Sequence, residues 1–510
     1  MVLTRARVGA GLASLIVVLT AFSALRLGAL EREGPAHADV SIGDGIPATL
    51  YLPFEDDDGA LPYQRPERER PPVVVVAHGY SADQAVMSPM ARSLAEAGYA
   101  VLTFDFRGHG SNTNHFSGDL TEDLAAVVDW LERSPQVDGT RIAVLGHSMG
   151  ASAVLDFATL DDRPLAVIPV SGGHQLYDDV LPDSVFLMVA ENDPDRIHAR
   201  QANIAADLAD TDSHVISSEI AGKDHVTILY SNTAITEVVE FLDPIMGIER
   251  AGEPPGLADP RLAVAARSLA LTVVVVGLLG LLVARFVEPA ESSGGPGGLL
   301  LIAGALVLTY PIMATGGVNV LPLGAGQPVI SQLALAAGLL WGLRVMVQRE
   351  VITGPVASWI GTDPWLSLRT VVGPGLAAGA AVFVLFLPLG GVIHRLVPTP
   401  ERLVLWIIVT AMALPFFAAF EALVRRGGTW AALGWGLLGR LVLLLALVVG
   451  LGMGVLPPVI GLVVPLLVGQ YVLLEVFAAT CYARGRNPAV IAVTESVVIA
   501  WIVVTLTPIG

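Results

Sequence analysis

Residues 141–154 read RIAVLGHSMGASAV and set a serine between two glycines, at a point where the sequence pattern changes. The run RIAVL is short, apolar and rich in branched side chains, which is typical of a buried strand, whereas SMGASAVLDFATL fits a helix. In a chain with 53 glycines, the motif Gly-x-Ser-x-Gly alone has little weight. Between a strand and a helix, however, glycines allow a tight turn that exposes the hydroxyl of Ser148.

Other short apolar runs share the strand character of RIAVL, and amphipathic segments such as DLTEDLAAVVDWLE lie between them. This alternation predicts a mostly parallel sheet with helices on both faces, because parallel strands are joined by crossover connections. The fold class expected is therefore α/β, and the stretch VSIGDGIPATLYLP predicts an antiparallel hairpin before the sheet. The predicted strands are residues 73–77, 100–106, 141–145, 165–170, 185–190 and 214–220.

Two ionisable residues follow the last two predicted strands. Asp193 comes just after VFLMVA, and His225 comes just after HVISSEI. Both therefore fall at strand ends, where open α/β sheets bind their ligands. A serine is a good nucleophile only when a base removes its proton and an acid orients that base. Ser148, Asp193 and His225 are therefore a candidate catalytic triad.

Nearby residues compete for two of these roles. Glu191 and Asp195 are alternatives for the acid, which is otherwise interpreted as a solvated turn carboxylate. His174 in SGGHQ follows another strand end, so it competes for the role of base or lines the site. His147 lies beside the serine in sequence and is expected to pack against the site rather than to act as its base.

Two further loops complete the pattern, AHGYSAD at 77–83 and DFRGHGSN at 105–112. With the elbow, the acid and the histidine, these loops make five ordered landmarks. Together they resemble the α/β-hydrolase superfamily, close to its lipase, esterase and serine-aminopeptidase branches. The resemblance covers roughly residues 39–247. One departure is Ala151, which stands where the elbow usually has a further glycine.

The resemblance implies a role for each of these residues. Ser148 is the expected nucleophile, His225 the general base and Asp193 the carboxylate that orients the base. The backbone N–H groups of Tyr80 and Met149 are expected to form the oxyanion hole. Support for the elbow and the neighbouring loop is expected from Gly79, Gly146, His147, Gly150 and His174, and structural hydrogen bonds are expected from His78 and His109.

Neither a metal nor a cofactor is expected. Cys481 is the single cysteine of the chain, so the sequence contains neither a disulfide framework nor a zinc cluster. The acidic run EDDDG at 55–59 does not have the spacing of an EF-hand, and we interpret it as a solvated loop.

Charge divides the chain into two parts. Residues 31–260 carry 39 acidic and 13 basic side chains, whereas the rest of the chain carries 8 acidic and 16 basic ones. The first part is therefore strongly acidic and the second is basic. Nucleic acid is excluded as a partner, because phosphate binding needs clustered Lys and Arg. The sequence does not indicate a protein partner.

The first apolar segment, residues 8–30, follows Arg5 and Arg7 and is long enough to cross a bilayer. Ala36 and Ala38 offer a small-x-small cleavage site. The segment is nevertheless longer than the apolar part of a signal peptide, so we favour an uncleaved anchor. The arginines before it predict a cytoplasmic N-terminus and an extracytoplasmic acidic domain.

A polytopic all-α membrane domain is expected after the acidic domain, because eight more apolar segments follow it. Threading them alternately puts most of the intervening arginines on the cytoplasmic side, as the positive-inside rule requires. Basic residues are almost all Arg, which suggests a GC-rich bacterial genome and hence a bacterial cell membrane. The expected division is an anchor at 1–30, a hydrolase domain at 31–247, a linker at 248–262 and a membrane domain at 263–510. The expected spans are residues 263–284, 298–316, 328–347, 371–393, 403–424, 437–454, 457–479 and 488–508.

Arg440, Glu475 and Glu495 fall near the predicted cytoplasmic ends of the last three spans. Charged groups at such positions are costly unless they are paired. We interpret these three residues, the membrane polar cluster, as a clamp between helices. A transport or lipid-handling role is the alternative.

The connection after the strand that ends at Ser171 suggests an open site. Only about a dozen residues separate this strand from the next, too few for a helical cap. An uncapped site favours an esterase or a lipase-like hydrolase over a peptidase, with a lipid-like or cell-envelope ester as the expected substrate. Two alternatives are a hydrolase coupled to a lipid-handling or transport membrane unit, and a noncatalytic scaffold. An intact triad argues against the scaffold.

Overall fold

The computed structural model describes the whole chain except residues 1, 54–69, 175–182, 210, 251, 291–293, 317–319, 362–364, 366–367 and 426. Its strands are β1 (Ala36–Ile42), β2 (Ile46–Leu52), β3 (Pro72–Ala77), β4 (Ala100–Phe104), β5 (Asp138–His147), β6 (Pro164–Val170), β7 (Ser184–Ala190) and β8 (His214–Ile220). They form one sheet in the order β1-β2-β4-β3-β5-β6-β7-β8. β2 pairs antiparallel with β1 and β4, and the other neighbouring pairs are parallel.

Helices cover both faces of this sheet. Helix α1 (Val2–Arg32) precedes it, and α2 (Ser88–Glu96), α3 (Thr121–Arg133), α4 (Met149–Leu160), α5 (Asp195–Leu208) and α6 (Asn232–Ile245) follow in chain order. Apolar residues of α3, α4 and α5 share one core with the sheet, and those of α2 and α6 share another. The predicted α/β fold with its leading antiparallel hairpin is confirmed.

The apolar run of β3 shows why the sheet is buried on both faces. Val73 and Val75 pack into the core of α3 and α4, whereas Val74 and Val76 pack into the core of α2 and α6. Successive side chains of a strand point to opposite faces, so a strand covered on both sides needs apolar residues at every position. Each fully buried valine contributes about 2 kcal/mol relative to an exposed one.

The sheet and its helices belong to one compact unit, which contains Leu25–Ala265. Two short segments from much later in the sequence, Leu389–Leu396 and Pro508–Gly510, belong to the same unit. Ile509 pairs with the loop after β4, because its N–H donates to Gly108 O at 2.9 Å and its carbonyl accepts from Phe116 N at 2.8 Å. These two segments are part of the same unit as the sheet, although the sequence pattern gives no sign of it.

The rest of the described chain forms a second unit made of helices. Among the described residues, nine helices are long and apolar enough to cross a membrane, and α1 is the first of them. Helix α15 is the most enclosed, with 83% of its span buried, compared with 44% at most for the others. The later helices are α7 (Arg261–Val283), α8 (Pro296–Ala314), α9 (Gly326–Gln348), the short α10 (Pro355–Ile360), α11 (Leu368–Phe386), α12 (Pro400–Val424), α13 (Thr429–Gly452), α14 (Val459–Gly485) and α15 (Pro488–Leu506).

Two expectations concern residues outside the described part of the chain. The acidic run at 55–59 lies wholly there. The connection between β6 and β7, where no helical cap is expected, lies there over residues 175–182.

Candidate active site

Ser148 is the residue at which β5 ends and α4 begins. Its φ of 56° and ψ of −108° are rare for a residue with a side chain, and its N–H donates to Val170 O at 2.9 Å. A Cβ added at Gly150 would lie 2.6 Å from Ala77 O, and one added at Gly146 would collide with the Gly150 carbonyl. The strand and helix therefore approach closely only because both positions are glycine. The tight turn predicted at the serine is confirmed, and its backbone is strained.

The structure brings the three residues of the candidate triad together. His225 Nε2 lies 2.9 Å from Ser148 Oγ, and His225 Nδ1 lies 2.6 Å from Asp193 Oδ1. A carboxylate can only accept, so Nδ1 carries the hydrogen and Nε2 is left to accept the hydroxyl proton of Ser148. Ser148 is partly exposed while the carboxyl is fully buried, so a substrate has access to the serine but not to the acid.

The surroundings of Asp193 keep it ionised. Its Oδ2 accepts from Ser171 Oγ at 2.6 Å and from the Ala190 N–H at 3.0 Å. Burial acts to raise the pKa of Asp193, but the hydrogen bonds from His225 and Ser171 outweigh it and leave the pKa below its ordinary value. The acid is therefore a carboxylate at neutral pH and holds one tautomer of the imidazole.

Two other histidines support the site. His147 Nε2 donates to the backbone carbonyl of His225 at 2.7 Å, and the two rings lie 4.9 Å apart. His78 Nδ1 donates to Gly79 O at 2.8 Å, and His78 Nε2 accepts from Phe106 N at 3.0 Å. Burial lowers the pKa of His147 to about 3 and that of His78 to about 4. Both rings are therefore neutral and act through hydrogen bonds.

The loop after β3 lies against the elbow. A Cβ at Gly79 would lie 3.1 Å from His147 Nδ1 and 3.3 Å from Ser148 Cβ, so the backbone next to Tyr80 is close to the nucleophile. The ring of Tyr80 packs edge-on against Phe116, with 6.0 Å between ring centroids. Met149 provides the first backbone N–H of α4. The assignment of the Tyr80 and Met149 N–H groups to an oxyanion hole stays a prediction.

Two of the three competing residues, Glu191 and His174, have other partners. Glu191 Oε2 accepts from Gly222 N at 2.6 Å, and Asp195 is exposed at the start of α5. His174 Nε2 lies 2.7 Å from Asp156 Oδ1. His109 Nδ1 contacts the Arg107 carbonyl at 3.0 Å, a hydrogen bond of the structural kind expected.

Sequence reasoning missed Ser171, which holds the acid, and Gln201, which bonds the backbones of β6 and β7. Ser171, whose side chain holds Asp193, has a φ of 50° and directly follows β6. Gln201 in α5 donates through Nε2 to the carbonyls of Pro169 and Met188, at 3.0 and 2.9 Å. One feature of the sequence could have identified Ser171. It lies at the carboxyl end of a strand, on the edge of the sheet that carries the triad.

The membrane polar cluster is also brought together, and it is larger than expected. Arg440 contacts Glu495 and lies 3.6 Å from Glu475 Oε2. Glu421 of α12 and Arg425, which directly follows α12, complete it, because Arg425 lies 2.6 Å from Glu421 Oε2 and 2.5 Å from Glu475 Oε1. The cluster thus joins four helices through three buried carboxylates and two buried guanidinium groups.

Residues 68–213 match the serine aminopeptidase (S33) family. An uncharacterised 31.7 kDa protein of Escherichia coli is 33% identical over 116 residues, or 21% of this chain and 40% of that protein. The bis(hydroxyethyl) terephthalate hydrolase of Streptomyces coelicolor is 30% identical over 128 residues, or 24% of this chain and 36% of that enzyme. Among solved structures, a puromycin-hydrolysing peptidase of Mycobacterium tuberculosis is 20% identical with a TM-score of 0.36, covering 44% of this chain and 41% of that chain.

Within the α/β unit, residues 68–213 are therefore similar to serine aminopeptidases, and the described chain also contains helices with the composition of membrane spans. The alignment with the Escherichia coli relative covers about 40% of that protein's length. The similarity concerns the α/β unit of this chain.

Proposed function

We propose that the chain is a serine hydrolase in which Ser148 attacks the substrate, His225 transfers the proton and Asp193 orients His225. One observation carries the proposal. A single imidazole lies within hydrogen-bonding distance of both a strained, partly exposed serine and a fully buried carboxylate. A binding module has no need of this arrangement, so a noncatalytic scaffold is disfavoured.

In the first half of the reaction, Ser148 Oγ forms a bond to the substrate carbonyl carbon while its proton passes to His225 Nε2. The carbonyl oxygen becomes an oxyanion, and the donors we propose for it are the backbone N–H groups of Tyr80 and Met149. Collapse of the intermediate breaks the bond to the leaving group, whose oxygen takes the proton from Nε2. Water then repeats both steps on the acyl-enzyme, which releases the acid and restores Ser148.

We propose a carboxylic ester with a lipid-like or cell-envelope acyl group as the substrate. The half-buried rings of Tyr80 and Phe116 offer an apolar surface beside the nucleophile. The Streptomyces coelicolor relative is named for an aromatic ester. The match to serine aminopeptidases supports an amide substrate as the alternative.

We propose that the hydrolase domain is extracytoplasmic in a bacterial cell membrane and that the N-terminus is cytoplasmic. Arg5 and Arg7 precede the first apolar helix, and basic residues before a first span hold that end of the chain inside. The apolar helices of the described chain support integration into the membrane.

The test is hydrolysis by the full chain purified in detergent, with Ser148→Ala and His225→Ala as controls. We expect a medium-chain p-nitrophenyl ester presented in micelles to be cleaved faster than the soluble acetate ester. An aminoacyl anilide should be cleaved most slowly of the three. Cleavage of short soluble esters alone would contradict the lipid-like substrate. Preference for the anilide would identify a peptidase.

A further inference from the structure

Residues 389–396 follow α11 in sequence but belong to the compact unit that contains the sheet and Leu25–Ala265, here called the hydrolase unit. Two of them contact Asp83, which is fully buried. The Arg395 N–H donates to Asp83 Oδ2 at 2.6 Å, and His394 Nδ1 lies 3.1 Å from the same oxygen and 3.1 Å from the Arg395 carbonyl oxygen. These are the contacts that Oδ2 makes with residues the structure describes, so one side of this carboxyl depends on the later segment.

The other side of Asp83 holds the loop that carries Tyr80. Asp83 Oδ1 accepts from the Ala85 N–H at 3.0 Å, and the Ala82 N–H donates to Gly79 O at 3.2 Å to close the turn before it. The carboxyl therefore links the end of this loop to residues 394 and 395. Any displacement of Asp83 moves the backbone that leads to Tyr80.

A second buried carboxyl, Asp105, makes the position of Asp83 depend on its hydrogen-bond donors. Asp105 is fully buried near Asp83 and accepts from the N–H groups of Gln84 at 2.9 Å and Ser111 at 2.8 Å. Burial and the charge of Asp83 raise the pKa of Asp105 to about 6. Two neighbouring buried carboxylates repel each other, so Asp83 keeps its position only while donors compensate its charge.

The later segment is fixed at other points as well. Ser88 Oγ donates to the Gly391 carbonyl at 3.0 Å, and the guanidinium of Arg261 lies 3.5 Å from the same oxygen. Arg395 Nη2 lies 3.5 Å from Asp39 Oδ1. Because these contacts come from separate parts of the hydrolase unit, they hold residues 391–395 against it.

We propose that His394 and the backbone N–H of Arg395 are positioning residues for the oxyanion-hole loop, acting through Asp83. The inference rests on the proposed serine-hydrolase function, because it assigns these residues to the donor side of the same site. On this proposal, the hydrolase unit needs residues 389–396 because they supply the partners of Asp83 Oδ2.

The test compares His394→Ala and His394→Asn in the full chain, with His198→Ala as the matched control. Misplacing an oxyanion donor raises the transition-state barrier, so we expect His394→Ala to lower kcat and the rate of fluorophosphonate labelling by about tenfold or more while KM stays within about twofold. The asparagine amide places an N–H near the position of Nδ1, so His394→Asn should recover most of the loss. His198→Ala should behave as wild type.

Asp83→Asn decides the matter if His394→Ala fails to fold. Its amide oxygen keeps the contact with Ala85, while its NH2 group faces the Arg395 N–H and breaks the link without leaving a buried charge. The same loss of kcat is expected. Wild-type kcat in whichever of the two variants folds would overturn the inference and leave the proposed function standing. A folded wild type without hydrolysis or labelling would instead overturn the proposed function.

Discussion

Replacing Asp193 by asparagine tests how the acid controls His225. Ser171 Oγ and the Ala190 N–H both donate to Asp193 Oδ2. Both donors need an acceptor, so the amide oxygen of the variant takes the Oδ2 position and its NH2 group faces His225 Nδ1. Two N–H groups cannot face each other, so the imidazole carries its hydrogen on Nε2. In this tautomer it cannot accept the proton of Ser148.

The expected loss is large because the variant keeps the geometry but loses the base. The corresponding change in a serine protease lowers kcat by about 10⁴-fold, which is about 5.5 kcal/mol of barrier. Two donors fix the amide orientation in this chain. We therefore expect Asp193→Asn to lower kcat by about 10³- to 10⁴-fold.

The assay is ester hydrolysis by the full chain in detergent, together with the rate of fluorophosphonate labelling. Labelling should slow in parallel with hydrolysis, because both need an activated serine. Asp195→Asn is the matched control, since Asp195 is an exposed carboxyl two positions away. It should stay within about twofold of wild type. A loss below about tenfold in folded Asp193→Asn would refute the assigned role.

Three other predictions concern stability, measured by thermal unfolding in detergent. Gly150→Ala should destabilise the fold by about 2 kcal/mol, because the added Cβ meets backbone oxygens. Gly304→Ala is the control, since its added Cβ meets nothing within 4 Å, and it should not destabilise the fold. Equal effects of the two variants would contradict this prediction. The pKa of Asp105 is raised to about 6 in the folded protein, so its contribution to stability is complete below about pH 4. As pH rises through 6, the free energy of unfolding should fall by about 3 kcal/mol. The variant Asp105→Asn should lack this dependence. Arg440→Gln should destabilise by about 3 to 5 kcal/mol by leaving buried carboxylates unpaired, unlike exposed Arg349→Gln.

The sheet and the candidate triad could be predicted because local patterns specify them. Most β-strands of the α/β domain are short apolar runs, and strand ends in an open sheet meet at one edge. The positions of Ser148, Asp193 and His225 after three such strands therefore carried enough information to bring them together. The distances of 2.9 and 2.6 Å between their side chains could not be predicted from periodicity.

The contacts that escaped prediction join residues far apart in sequence. Asp83 and Arg395 are 312 positions apart, and no local pattern indicates their contact. Arg425 falls between the predicted spans 403–424 and 437–454, yet it is buried among carboxylates. A charged residue at a span end fits either a loop or a buried pair, and only packing decides between them.

The central claim is that His225 activates Ser148. Its most direct test is labelling of the full chain in membranes with a fluorophosphonate probe, followed by location of the modified residue by peptide mass spectrometry. The account predicts modification at Ser148, no modification in Ser148→Ala, and labelling at least about 100-fold slower in His225→Ala. Absence of labelling in folded wild type, or labelling that persists in Ser148→Ala, would contradict it.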